Sequence, residues 1–426
     1  MRLALLTAGT RGDTQPYVAI GRELARRGHE VRIAASEDHA EFIGRAGLDA
    51  FPYRGLRVRE VLEGAEARGH LARGALLPYL ALAREVQRRS RAAISQAVGA
   101  ALEGADAVVA HPLTELAARS LARARGLPLV RTALVPIVRT GDFPSPLLPL
   151  PLARLPFRAL RRATHDLVGW LAWRAEREVF ALTCREQGLP VPEASPRRLL
   201  DREGVPTAHL VSPVLVPRPP DWGPHHVTTG HPVLQPEARE RLGERGPSPE
   251  LEAWLAAGPP PVYLGFGSFP VRDPEALLAT AAEVTRRLGL RALVSAGWSR
   301  PGAAPGAHGH VFLAGALDHD AVLPRCLAAV HHGGLGTTTA TLRAGLPTLV
   351  CAVLLDQPFW GARVRALGAG DVLPFRRLDA RRLEDGVRGL LSPRTGARAR
   401  EVAERMRGED GVAAAADFVE RHARPR

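Results

Sequence analysis

The chain reads as an α/β protein of two doubly wound domains facing one another across a cleft. Three observations predict this. Short apolar runs alternate with helix-like segments, the pattern of parallel sheets covered on both faces. The alternation lapses once, around a proline-rich polar stretch, and then resumes. The 426 residues also exceed what one hydrophobic core usually supports.

Taken in order, RLALLTAG (2–9), EVRIAAS (30–36), ADAVVAH (105–111) and LPLVRTALV (127–135) are short and apolar enough for buried strands of one sheet. Between the first two, PYVAIGRELARRG has a proline at its start, a spaced apolar face and a glycine stop, as a helix should. Strand signals then lapse until HLVSPVLVP (209–217), after which RPPDWGPHH reads as an interdomain linker. The expected boundaries are therefore a first domain over 1–217, a linker over 218–236 and a second domain over 237–426. PPVYLGFGS, RALVSAGW, HVFLAGAL, LAAVHHGG, LPTLVCAV and AGDVLPF supply the strands of the second sheet. The tail, EVAERMRGEDGVAAAADFVERHA, predicts two helices joined near Gly411, placed to pack back on the first domain. Ligands are expected at the carboxyl ends of the strands.

Hydrophobic residues make up 46% of the chain and the mean hydropathy is −0.07, which describes a packed protein rather than a disordered one. No apolar run approaches the ~20 residues of a membrane span, so the expected location is the cytoplasm. Cys184, Cys326 and Cys351 are too few and too widely spaced for a disulfide framework or a zinc pattern and read as core thiols. Every one of the 57 basic residues is arginine, and the net charge of +13 suits polyphosphate ligands or anionic surfaces. Aromatic content of 5%, without a zinc-finger or RNA-binding pattern, excludes a typical nucleic-acid binder.

The stretch HHGGLGTTTATLRAG (331–345) is a strand end, a glycine turn and a helix. Unpaired amides and the positive end of the helix dipole make such a turn suited to a phosphate. Gly333, Gly334 and Gly336 let an anion approach the backbone, Thr337 and Thr338 add hydroxyls, and His332 adds a ring donor. A helix cap alone would also explain the turn. Asp356 and Gln357, at the end of the next strand and on the same edge of the sheet, favour a ligand, because a carboxylate and an amide there can grip sugar hydroxyls.

This order of residues resembles the donor signature of the nucleotide-sugar glycosyltransferases of the UDP-glycosyltransferase superfamily. TAGTRGDTQPYVAIGRELARRGHEV at the start, PVYLGFGSF and the tail's GEDGVAAA are similar to its sterol and antibiotic branch, so the resemblance covers nearly the whole chain. It implies the GT-B fold, with the acceptor in the first domain and the nucleotide sugar in the second. His332 and the turn from Gly334 through Gly336 and Thr337 to Thr338 would hold the diphosphate, with Ser268 reaching it from the facing loop. Asp356 and Gln357 would hold the sugar, the backbone near Leu317 would meet the nucleobase, and Trp298 would lie along the same wall. Ala340 stands where plant members commonly have an acidic residue for the ribose, which leaves UDP and dTDP donors unseparated.

The resemblance further implies an inverting displacement that uses no metal and no cofactor beyond the nucleotide sugar as co-substrate. Asp13, in the loop after the first strand, matches the proposed base of that branch; a helix cap is its structural alternative. Asp318-His319-Asp320 has the look of a metal motif, yet it falls where the branch has its nucleobase loop. From Pro156 onward, Arg158, Arg161, Arg162 and His165 share one helical face, with Leu160, Leu167, Val168 and Leu171 on the other. With the apolar FPSPLLPLPLARLP before it, this segment suits a lipophilic acceptor such as a sterol, carotenoid, polyketide or glycolipid precursor, or contact with a membrane surface. Two rival readings are a catalytically silent nucleotide- or lipid-binding helper and a nucleotide-sugar epimerase of the same architecture.

Overall fold

The computed structural model describes all residues except 73–74, 149–154, 187, 193, 243–245, 267–272, 296–305, 316 and 425–426. The chain forms two compact units. The first comprises Met1–Val61, Leu80–Gly243 and Glu409–Arg426; the second comprises Leu62–Tyr79 and Glu244–Gly408.

Among the described residues the first unit holds a seven-stranded sheet in the order β3-β2-β1-β4-β5-β6-β7. Its strands are β1 (Arg2–Leu6), β2 (Glu30–Ser36), β3 (Asp49–Tyr53), β4 (Ala107–Ala110), β5 (Leu129–Ala133), β6 (Thr207–His209) and β7 (His226–Thr228), all paired in parallel. The order reverses at β1, whose neighbours are β2 on one side and β4 on the other. Loops after β1 and β4 therefore part at a switch point, where an open parallel sheet leaves a crevice. Leu3, Leu5 and Leu6 on β1 are fully buried, which anchors that crevice to a rigid floor.

The second sheet runs β10-β11-β9-β8-β12-β13-β14. Here β8 (Val262–Gly265), β9 (Ala292–Ser295), β10 (Gly306–His308), β11 (Val311–Ala314), β12 (Ala328–His331), β13 (Thr348–Ala352) and β14 (Gly370–Pro374) are parallel except for the β10–β11 pair. Its switch point lies between β8 and β12. Cys326 and Cys351 sit in the core of this unit and Cys184 in that of the first, all as free thiols.

Three details differ from the sequence reading. HLVSPVLVP is not one long strand: β6 stops at His209, and the Ser212 hydroxyl accepts from the N–H groups of Val214 and Leu215 to close a turn around Pro213. Residues 226–228, inside the stretch read as a linker, form the last strand of the first sheet. β3, with Pro52 inside it, and β10 were not anticipated; both are edge strands, where few ladder bonds are needed.

The tail forms helices Pro393–Met406 and Gly411–His422. The latter belongs to the first unit, where Arg27, the C-cap of helix Arg11–Arg26, binds Asp417 at 2.6 Å and Glu420 at 2.7 Å. Gly411 must be glycine there, since a Cβ would stand 2.6 Å from the backbone of Gly230.

Candidate functional site

In the first unit, Asp13 lies in the first turn of helix Arg11–Arg26, beyond the end of β1. Its Oδ2 accepts from the Thr10 backbone N–H at 2.7 Å and from the Thr10 hydroxyl at 3.0 Å. That is the acidic half of a capping box, so one oxygen has a structural task. Gly9, at φ 121°, allows the approach: a Cβ there would lie 2.3 Å from Oδ2. The other oxygen, Oδ1, is 3.9 Å from Nε2 of His111.

His111 follows β4 directly and is almost fully buried. Its Nδ1 accepts from the Leu113 N–H at 3.3 Å, which leaves the proton of the neutral ring on Nε2, the nitrogen turned to Asp13. Tyr17 packs edge-on against the ring, at 5.9 Å between centroids, and is itself pinned through its hydroxyl to Thr132. A carboxylate and an imidazole thus meet at the sheet's switch point, with a rigid wall behind them. Sequence reasoning missed His111, because it closes an ordinary strand signal and only the β1–β4 pairing brings it beside Asp13.

In the second unit, the glycine turn follows β12 at the corresponding switch point. His331 is fully buried and its Nδ1 accepts from the Gly333 N–H at 2.9 Å. Burial keeps this ring neutral, well below its usual titration range, as the acceptor role requires. Gly333 has φ 92°, and a Cβ on it would meet Val350 at 2.5 Å and Gln357 at 3.2 Å. His331 was missed as well, overshadowed in the sequence by its neighbour.

Helix Leu335–Arg343 starts at the N-cap Gly334. His332 Nε2 stands 2.6 Å from where a Gly334 Cβ would be, so the ring sits over the turn. Burial lowers the His332 pKa to about 4, against the opposing effect of a bond to the Gly265 backbone, so the ring is neutral at pH 7 and carries a single N–H. Thr337 is half-buried in the first helical turn beside the exposed Gly336. Thr338 differs from expectation. It is fully buried and its hydroxyl donates to the Gly334 carbonyl at 2.9 Å, so that hydrogen serves the turn and is not offered to a ligand.

Asp356 and Gln357 lie beyond β13 and begin helix Gln357–Leu367. Gln357 is buried, and its Oε1 accepts from the Val353 N–H at 2.8 Å, while its Cβ abuts Gly333. The two parts of the signature are therefore in contact. Asp356 Oδ2 accepts from the Trp360 indole at 2.6 Å, and burial raises its pKa. Leu355 before it is left-handed at φ 59°, a strained conformation for a branched side chain.

Leu317 packs against the same apolar cluster as Ala340, which joins the loop after β11 to the signature helix. Asp318 Oδ1 caps helix His319–Val322 through the N–H groups of Asp320 and Ala321, and His319 Nε2 is 2.9 Å from the Tyr263 hydroxyl. Ser268 and Trp298 lie outside the described residues.

Comparison with known proteins bears on the whole chain. The family described as "Glycosyltransferase family 28 N-terminal domain" matches residues 3–64, and "Erythromycin biosynthesis protein CIII-like, C-terminal domain" matches residues 305–417. A sterol 3-beta-glucosyltransferase of Arabidopsis thaliana is 33% identical over 438 residues, covering 99% of this chain and 66% of the relative. The chain thus spans just under two thirds of that plant protein's length. An uncharacterized glycosyltransferase of Mycobacterium leprae is 34% identical over 435 residues, covering 99% of this chain and 96% of the relative. Among solved structures, the glycotransferase of kitacinnamycin superposes with a TM-score of 0.72 at 21% identity, covering 99% of this chain and 98% of the other. The glycosyltransferase VinC in complex with dTDP gives 0.65 at 20% identity, over 99% of each chain.

Proposed function

The chain belongs to the UDP-glycosyltransferase superfamily of nucleotide-sugar-dependent glycosyltransferases, and we propose that it moves a hexose from a UDP- or dTDP-linked donor to a hydroxyl of a lipophilic small molecule. The observation that carries this reading is the contact of the glycine turn, roofed by a neutral His332, with Gln357. A diphosphate bound at the start of helix Leu335–Arg343 would be next to the groups that hold its sugar.

In the proposed reaction the acceptor oxygen attacks the anomeric carbon as the bond from that carbon to the diphosphate oxygen breaks, with inversion. Asp13 takes the hydroxyl proton through Oδ1, and the His111 N–H steadies the carboxylate. The leaving diphosphate keeps the bonding pair, and its charge meets the helix start, His332 and Thr337. One helix terminus stabilises an anion by only about 0.3–2 kcal/mol, so these donors act together and no bridging cation is invoked. Asp318 is already employed as a helix cap. The acceptor class rests on the sterol-directed name of the plant relatives and on the apolar approach to helix Arg158–Glu186.

The test is a thermal-shift screen of nucleotide sugars, followed by transfer assays on sterol, carotenoid and polyketide acceptors with the anomeric configuration read by NMR. A ligand at a hundredfold its dissociation constant adds about 2.7 kcal/mol. Retention of configuration, or no stabilisation by any UDP or dTDP sugar, would overturn the reading.

A further inference from the structure

Helix Arg158–Glu186 ties its charged face to the rest of its unit, with His165 buried, Arg161 and Arg162 half-buried and Arg158 exposed. Arg161 donates to the carbonyls of Leu155 at 2.7 Å and Asp142 at 3.0 Å, Arg162 binds Asp221 at 2.8 Å, and His165 donates to the Phe143 carbonyl at 3.1 Å. Against the effect of its own burial, bonds from Thr140, Arg162 and the Gly141 N–H keep the Asp221 carboxyl below the usual carboxylate range. The helix is therefore locked in rotation by polar contacts.

The outward face is the apolar one. Leu160, Leu167, Trp170 and Leu171 are 46%, 47%, 50% and 49% exposed, and Phe157 just before the helix is 67% exposed. At 100° per residue those four helical positions and Arg174 fall within an arc of about 100°, over a length of about 21 Å. A surface helix ordinarily buries such a stripe. Here Arg174 lies 5.6 Å over the Trp170 ring and Arg177 is exposed beside it, while Glu178 toward the far end of the stripe is neutralised by Arg84 at 2.7 Å.

We propose that this face docks the protein on the surface of an anionic lipid bilayer, with the leucines and Trp170 at the boundary of headgroups and acyl chains and Arg174 and Arg177 against lipid phosphates. The charge of the chain, +13, complements such a surface, and Arg174 and Arg177 bring part of it to the stripe itself. The helix by itself carries the inference, which does not depend on the acceptor class.

The experiment is flotation of the full chain with phosphatidylcholine vesicles with and without phosphatidylglycerol. Binding is expected only with phosphatidylglycerol, weaker at high salt, and reduced roughly tenfold or more in the double variant Leu167→Glu/Leu171→Glu. Both positions are exposed, so the variant should keep the parent's melting temperature and its affinity for free UDP or dTDP. A second variant, Arg174→Gln/Arg177→Gln, should lose the preference for the anionic lipid. Absence of vesicle binding, equal binding by parent and leucine variant, or a dimer in sedimentation that the leucine variant dissociates would each overturn the proposal.

Discussion

The Nε2 of His332 lies 2.6 Å from the point that a Cβ on Gly334 would occupy. Ring and glycine are fitted to one another, and either can be altered to displace the other. His332→Ala should weaken binding of the free nucleoside diphosphate by about 1.5–3 kcal/mol, the scale of a hydrogen bond to a charged group. Gly334→Ala should cost a similar amount by pushing the ring aside, and the double variant should lose less than the sum. Calorimetry with UDP and dTDP measures all three; unchanged affinity in His332→Ala would reduce the ring to packing.

Asp13 divides its carboxylate between a cap and His111, so its replacement separates two effects. Asp13→Asn should lower kcat by roughly 10²- to 10⁴-fold while donor affinity stays within about twofold. Loss of part of the capping box should also cost about 1 kcal/mol of stability. His111→Gln should reduce kcat less, and both variants should show altered pH–rate profiles. If Asp13→Asn lowered stability alone and left turnover intact, the carboxylate would be a cap and no more.

Acid should destabilise the protein well above the range of its carboxylates. Burial, and then a neighbouring ring or arginine, lowers His209 and His226 to about 3; burial lowers His332 to about 4. Below about pH 6.5 the unfolded chain binds protons that these folded rings refuse, so stability falls with pH from about 6.5 to about 4 for His332 and to about 3 for the other two. Above 6.5 they contribute no pH dependence. The limiting slope is about 1.4 kcal/mol per pH unit for each ring, and urea melts at pH 7, 5.5 and 4.5 should record it. A flat profile over that window would contradict the assignment of neutral rings.

Metal removal should matter little if the helix start and His332 receive the diphosphate charge. Exhaustive chelation should leave the transfer rate within about twofold, whereas a metal-dependent transferase would stop. Asp320→Ala should change little, and Asp318→Ala should cost about 1 kcal/mol of stability as the lost cap of helix His319–Val322. Strict dependence on magnesium or manganese would displace the proposed mechanism.

The fold class was legible in the sequence because buried parallel strands must be short apolar runs and their crossovers must be amphipathic. RLALLTAG, ADAVVAH and LAAVHHGG had no other plausible use, and the glycine turn announced a backbone conformation that only glycine adopts freely. Strands of three residues such as β6 and β7, or an edge strand holding Pro52, carry too little apolar pattern to be seen. Local sequence therefore determined the elements with large burial and the residue types at the strand ends.

Tertiary structure decided which strand ends meet and which face of a helix turns inward. Parallel pairing of β1 with β4, about a hundred residues apart in the chain, sets His111 beside Asp13, and no local pattern encodes that pairing. Periodicity gave helix Arg158–Glu186 two faces but no orientation. Asp221 and the carbonyls of 142 and 143 reversed the ordinary arrangement, because a guanidinium bound by a carboxylate and backbone oxygens can be taken inward while the leucines are left outside.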